Sequence, residues 1–208
     1  LISRRKKIAV FASGFGSNFQ AINDYIKNKG INGYIGLLFS NNPGAYALQR
    51  AEKDNIATYA LDPKDFNDRK EYDQEIAKVL KKENIDIIVL AGYMLLFTPG
   101  LVNLFKNRII NIHPSLLPAF KGTQGIKDAY DYGVKVTGVT VHFVDAELDH
   151  GPIILQKEVA VNDSYSLKDL EERIHQVEHD LYPKAVEYLC SDRLQIKGRK
   201  VIIREKEV

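Results

Sequence analysis

Asp86-Ile87-Ile88-Val89-Leu90-Ala91 is the stretch that decides the fold. After one charged residue it is uninterruptedly apolar and β-branched, and it is too short for a helix. A strand reads this way when both faces of its sheet are covered, as happens in parallel α/β proteins. Working outward toward the N-terminus, Asp65 to Lys82 has helical period, with Tyr72, Ile76, Val79 and Leu80 on one stripe. Before it come a brief strand at Ala57–Ala60, a helix beginning after Pro43-Gly44, and a strand at Gly33–Phe39. The first elements are a helix from about Asn18 to Asn28 and a buried strand, Lys7-Ile8-Ala9-Val10-Phe11. This β-α-β-α rhythm predicts an α/β fold with a Rossmann-like parallel sheet.

Beyond residue 100 the pattern changes. Arg108-Ile109-Ile110 reads as a short buried strand, and Val136 to Val144 as a long one. Pro152–Gln156 and Glu158–Val161 form another extended segment, close enough to Val136–Val144 to pair with it antiparallel. A long helix runs from about Ser166 to Leu189, with Ser166 and Asp169 at its N-terminus. Gln195 to Ile203 reads as a hairpin turning at Gly198. The whole reading is a single domain over residues 1–208: a parallel half to about residue 100, then a mixed sheet with antiparallel C-terminal strands.

Composition narrows the function classes. A chain of 208 residues with 45% hydrophobic and 27% charged residues can bury one real core. Its formal net charge of +2 gives no reason to expect nucleic acid as a partner. The basic cluster Arg4-Arg5-Lys6-Lys7 reads as a solvated entry to the first strand. Cys190 is the only cysteine, which rules out an internal disulfide and a cysteine-based zinc site. Its apolar helical setting reads as core packing. No run is long enough to span a membrane and no signal peptide is evident, so the cytoplasm is the expected compartment. The chain opens on Leu1 rather than Met, which suggests a trimmed or tagged start.

Chemistry is concentrated in Asn111-Ile112-His113-Pro114-Ser115-Leu116-Leu117-Pro118. Its prolines forbid helix and stop the ladder, so an amide and an imidazole are delivered at the end of a strand on a stiffened loop. Two residues apart on extended chain, Asn111 and His113 point to one side. Two donors aimed at one point suit an oxygen that gains negative charge, as in acyl transfer; the plain alternative is a turn with a solvated histidine.

Ser13-Gly14-Phe15-Gly16-Ser17-Asn18 lies between a strand and a helix, where amide hydrogens and the helix dipole favour an anion. Phe19 stands where a dinucleotide fingerprint needs its third glycine, and Ser40-Asn41-Asn42 offers no carboxylate for a ribose. NAD therefore fits poorly, and a phosphate monoester on Gly16, Ser17 and Asn18 fits better. A tight turn capped by Ser17 is the structural alternative. The acidic loop Asp145-Ala146-Glu147-Leu148-Asp149-His150 is ended firmly by Gly151-Pro152, which would hold a carboxylate in place. If Asp149 faces the Asn111/His113 strand end, a histidine–carboxylate pair for proton management results. His175-Gln176-Val177-Glu178-His179 matches an inverted zincin string, with both histidines on one helix face. Little chain follows to supply the acidic third ligand, so helix-surface or core histidines are the expected reading and no metal is expected.

Taken together, these motifs resemble the phosphoribosylglycinamide formyltransferases, a branch of the folate-dependent formyltransferases. The resemblance rests on Gly16-Ser17-Asn18, Ala91-Gly92-Tyr93-Met94, the Asn111–Pro118 run, Gly138–Val144, Leu148–Pro152 and Glu178–Pro183. It implies a formyltransferase fold and transfer of a formyl group from 10-formyltetrahydrofolate to the amine of 5'-phosphoribosylglycinamide in purine synthesis. It further implies that Gly16, Ser17 and Asn18 hold the ribose phosphate and that Glu178 contacts the ribosylglycinamide. Arg69 and Met94, Leu95, Leu96 and Phe97 would line the folate pocket, with Asp145, Ala146, Glu147 and Leu148 as its other wall. Asn111, His113 and Asp149 match the catalytic trio.

Two departures stand out: Leu95, where many relatives carry Arg, and Lys121-Gly122-Thr123-Gln124-Gly125, where Pro and His are commoner. The amine would attack the formyl carbon directly, with Asn111 and protonated His113 on the oxyanion and Asp149 sustaining the imidazolium. Only the small-molecule substrates are expected as partners, with the protein a monomer or homodimer. Methionyl-tRNA formyltransferase and formyltetrahydrofolate deformylase are the nearest rivals. The first usually adds a basic C-terminal domain and the second an N-terminal regulatory one, and neither is expected here. A non-catalytic phosphometabolite-binding module is the rival from another class.

Overall fold

The computed structural model describes residues 4–205, so Leu1 lies outside the described residues. The chain divides after Ile110 into two compact units.

In the first unit the strands are β1 (Lys6–Phe11), β2 (Gly33–Ser40), β3 (Thr58–Ala60) and β4 (Ile87–Leu90). They lie in the order β3-β2-β1-β4, and every pairing among them is parallel. The helices are α1 (Ser17–Lys29), α2 (Tyr46–Lys53), α3 (Arg69–Lys82) and α4 (Pro99–Leu104). Ile8, Ala9, Val10 and Phe11 on β1 are fully buried, as are Ile88 and Val89 on β4. Each such aliphatic side chain contributes ~2 kcal/mol of burial free energy, which is why these runs show no polar alternation. Phe11 stacks on Phe39 at 4.6 Å and meets Tyr93 and Phe97 edge-on at 5.2 and 5.3 Å.

The helical reading from Asp65 needs correction at its start. Pro63–Asp65 is a separate 3-10 turn, and α3 begins at Arg69 because the Asp68 carboxylate accepts from the Glu71 amide at 2.8 Å. The helix α4 went unread, since six residues opened by Pro99 carry too little period.

β5 (Ile109–His113) carries the chain from the first unit into the second. Asn111 and His113 therefore sit within the strand, not on a loop beyond it: the ladder runs as far as the residue before Pro114. The second unit continues with α5 (Gly125–Tyr132), β6 (Val136–Phe143), β7 (Ile153–Ala160), α6 (Leu167–Cys190), β8 (Leu194–Lys197) and β9 (Lys200–Ile203). The extended segment read from Pro152 to Val161 is the strand β7, and it pairs antiparallel with β6 as expected. The β8–β9 hairpin is also antiparallel and turns at Gly198, while β9 meets β7 in parallel. Helix α5 is a short element that begins at Gly125, the last residue of the divergent Lys121–Gly125 stretch, and the sequence pattern does not predict it. The Ser166/Asp169 capping box opens α6, and Cys190 is fully buried at its end. The α/β reading, with a parallel first half and antiparallel C-terminal strands, matches what these elements show.

The β6–β7 connection is closed by the Phe143 amide donating to the Pro152 carbonyl at 2.9 Å. Gly151 lies so close that a Cβ there would fall 1.8 Å from the Phe143 carbonyl oxygen. Gly151→Ala must therefore displace backbone. The expected cost is about 3 kcal/mol in urea unfolding; an unchanged midpoint would show that the turn is not tightly held.

Candidate active site

The second unit gathers the trio read from sequence. Asn111 and His113 project from β5, and Asp149 comes from the β6–β7 connection with a left-handed φ of 46° that aspartate tolerates. The Asp149 side chain is only 7% exposed and that of His113 only 4%. Asp149 Oδ2 accepts the Gly122 amide hydrogen at 2.8 Å and lies 3.4 Å from His113 Nδ1. The other ring nitrogen of His113, Nε2, donates to the Phe120 carbonyl at 2.8 Å. The divergent Lys121–Gly125 loop thus reaches Asp149 through the Gly122 amide, and the residue just before it, Phe120, reaches His113 through its carbonyl. Leu95, the other departure, has a hydrocarbon side chain that can neither donate nor accept a hydrogen bond.

His142 on β6 had no role in the sequence reading. It is 2% exposed; its Nδ1 donates to the Phe143 carbonyl at 2.8 Å, and its Nε2 accepts from Asn111 Nδ2 at 3.2 Å. Asp149 Oδ1 stands 3.8 Å from the same Nε2. Burial pushes the His142 pKa below its ordinary 6.5, against a smaller upward pull from the Phe143 carbonyl and Asp149. The neutral ring is what makes Nε2 an acceptor, and it fixes which way the Asn111 amide faces. A lone histidine in step with Thr140 on a strand otherwise made of valine, threonine, glycine and phenylalanine is the available signal. Thr140 has the same supporting character: its Oγ1 donates to the Ser115 carbonyl at 2.6 Å and accepts the Leu117 amide at 3.1 Å.

The remainder of the acidic loop is braced from β8–β9. Asp145 Oδ2 accepts from His150 Nδ1 at 2.8 Å, and Arg199 between the two strands donates to His150 Nε2 at 3.1 Å and to its carbonyl at 2.6 Å. Ala146, Glu147 and Leu148 are exposed. On α6, the nearly buried Glu178 accepts from His175 Nδ1 at 3.0 Å, a bond that raises the His175 pKa. Burial lowers that of His179. The zincin-like string thus places its carboxylate on its own histidine, and no group of three or more His, Cys, Asp or Glu among the described residues could hold a metal ion.

In the first unit, Gly16 (φ 76°) caps α1 with no side-chain hydrogen bond, immediately ahead of Ser17 and Asn18. Ser13 ties this loop to the chain after β4: its Oγ donates to Asn41 Oδ1 at 2.6 Å and accepts the Met94 amide at 2.9 Å. Met94 and Leu96 are exposed, whereas Phe97 packs on Phe11 and Tyr93. Arg69 donates to the Leu96 carbonyl, pairs with the buried Asp73 at 3.4 Å and lies over the Tyr72 ring. Asp73 in turn accepts the Thr98 amide at 2.5 Å, so Arg69 and Asp73 together hold the 96–98 backbone.

A formyl transferase family model matches residues 6–186. The chain belongs to that family. It is 42% identical over 195 residues to the phosphoribosylglycinamide formyltransferase of Bacillus subtilis (strain 168), covering 94% of this chain and 99% of that one. The Escherichia coli (strain K12) enzyme of the same name is 39% identical, covering 91% of this chain and 89% of that one. A crystal structure of glycinamide ribonucleotide transformylase 1 from Symbiobacterium toebii superposes with a TM-score of 0.95 at 41% identity, covering 98% of this chain and 96% of that one. The resemblance read from the motifs is thereby borne out.

The Asn111–His142 bond generates a prediction. His142→Leu removes the acceptor and frees the amide to turn, and kcat is expected to fall at least ~10-fold, short of the ~10²–10³ for losing an oxyanion donor outright. His142→Gln, which keeps an acceptor, should recover part of the loss. His142 should titrate by NMR below 6.5. Because the unfolded chain then takes up the proton first, the stability His142 contributes is intact above pH 6.5 and is lost as the pH falls below it. Titration above 6.5 would contradict the neutral-acceptor assignment.

Proposed function

We propose that this enzyme transfers the formyl group of 10-formyltetrahydrofolate to the amine of 5'-phosphoribosylglycinamide, with residues 1–208 serving as one formyltransferase domain. The observation that carries the proposal is a buried carboxylate and imidazole and a half-buried amide, drawn together by β5 and the β6–β7 connection in a member of this family. The amine attacks the formyl carbon, and the carbonyl π electrons move onto oxygen to give a tetrahedral oxyanion. Asn111, oriented by His142, donates an amide hydrogen to that oxygen. His113 donates Nε2–H, which the charged oxygen takes from the neutral Phe120 carbonyl because charge-assisted hydrogen bonds are the stronger ones. Asp149 stabilises the imidazolium through Nδ1–H. By way of water it also moves a proton from the attacking amine to the departing folate nitrogen as the C–N bond breaks.

Gly16, Ser17 and Asn18 bind the ribose phosphate at the start of α1, and Glu178 contacts the ribosylglycinamide. Met94, Leu95, Leu96, Phe97 and Asp145 to Leu148 contact the folate, with Arg69 holding the Leu96 backbone in place. The reaction needs no metal and no covalent enzyme intermediate. The small-molecule substrates are the partners, without nucleic acid or membrane; the protein is a monomer or homodimer of the cytoplasm.

A spectrophotometric assay with 10-formyl-5,8-dideazafolate tests this reading. Turnover should require the ribonucleotide and survive EDTA; folate release without ribonucleotide would instead indicate a deformylase. His113→Ala should lower kcat by ~10²–10³ while KM for either substrate changes far less, and near-wild-type turnover would remove His113 from the mechanism.

A further inference from the structure

Arg50 on α2 bridges the glycine loop, α1 and two aromatic rings. Its Nε donates to the Phe15 carbonyl at 3.0 Å, and its Nη1 reaches Gln20 Oε1 on α1 at 3.4 Å. The guanidinium lies 4.4 Å from the Phe15 ring centre and 5.0 Å from that of Tyr46. Those two rings are stacked at 5.1 Å and 11°. Phe15 is 64% and Tyr46 43% exposed, so burial alone does not hold Phe15 against α2. The guanidinium adds a directional bond and a cation–π contact.

The consequence concerns which groups the loop presents. A phosphate dianion is bound by N–H groups and repelled by carbonyl oxygens. Three successive carbonyls are engaged by donors of the protein itself: Gly14 by the Ala47 amide, Phe15 by Arg50 and Gly16 by the Gln20 amide, each at 3.0 Å. Two of those donors are backbone amides, which a change of side chain short of proline leaves in place; only the Phe15 carbonyl depends on a side chain. The spacing is tight as well, since a Cβ on Gly16 would meet Ala47 Cβ at 2.6 Å.

We infer that Arg50 is a positioning residue for phosphate recognition: it holds the Phe15 carbonyl back toward α2, so that the loop offers hydrogens rather than oxygens to the phosphate monoester of the substrate. The inference rests on the proposed assignment of Gly16, Ser17 and Asn18 to that phosphate.

The test compares kcat/KM for 5'-phosphoribosylglycinamide with that for its 5'-dephosphorylated counterpart, in the wild type, Arg50→Met and Arg50→Lys. Arg50→Met is expected to lower the phosphorylated-to-dephosphorylated ratio by about tenfold, the loss that follows from misplacing one hydrogen bond to a charged group. Arg50→Lys keeps the charge but cannot bond the carbonyl and lie flat on both rings, so it should restore little of the ratio. A substitution that merely loosened the fold would lower both rates in proportion. An unchanged ratio in Arg50→Met, or full rescue by lysine, would overturn the assignment of Arg50 alone. A wild type that gains nothing from the phosphate would instead overturn the phosphate-loop reading, and this inference with it. Competitive inhibition by inorganic phosphate, read on the same three proteins, should weaken in the same order.

Discussion

A carboxylate that is almost fully buried has to be given hydrogen-bond donors, and the second unit is organised around meeting that demand for Asp149. The Gly122 amide supplies one donor, and the imidazole of His113 stands beside the same oxygen. The requirement reaches well beyond these partners. Asp149 attains its position through a left-handed backbone conformation, followed two residues on by Gly151, which no larger residue can replace without moving Phe143. The Phe143 amide closes that turn, and the Phe143 carbonyl also selects the tautomer of His142. One backbone position thus sets both the placement of the carboxylate and the direction of the Asn111 amide.

The first unit solves a different problem, the exposure of irregular backbone at the ends of parallel strands. Ser13 links the loop after β1 to those after β2 and β4, and Arg69 with Asp73 holds the backbone from Leu96 to Thr98. Apart from the Ser13–Asn41 bond between two side chains, these join side chain to main chain, and they set loop geometry without adding to a core. The apolar strands below them are buried on both faces, so the loops rise from a closely packed sheet.

What was legible in the sequence follows from these differences. Long apolar runs such as Ile87–Leu90 and the capping box at Ser166 are local signals, and they predicted the strands and α6 well. The motif residues Asn111, His113 and Asp149 could be named because their types and spacing carry chemistry. The short helices α4 and α5 could not be read, for six or eight residues give too few turns to establish a period. His142 and the Phe120 carbonyl escaped for a deeper reason: their parts depend on pairing register and on a backbone oxygen. Neither is written in residue type. The strand containing His113 was read short because prolines mark where a ladder must stop, not how close to them it runs.

The hydrogen bonds already present in the site bear on how the proposed chemistry discriminates between substrate and transition state. Nε2 of His113 is bonded to a neutral carbonyl, and one amide hydrogen of Asn111 to a neutral imidazole. A formyl oxygen in the ground state is also a neutral carbonyl, so it gains little by competing for the His113 hydrogen. Once the carbon becomes tetrahedral the oxygen carries a full charge, and the exchange turns favourable. A donor that is satisfied at rest and given up only to charge strengthens its interaction in the transition state alone, which is the condition for raising kcat instead of tightening substrate binding. On this account the Phe120 carbonyl helps to keep the site selective for developing charge, and the loop that supplies it is part of the catalytic design.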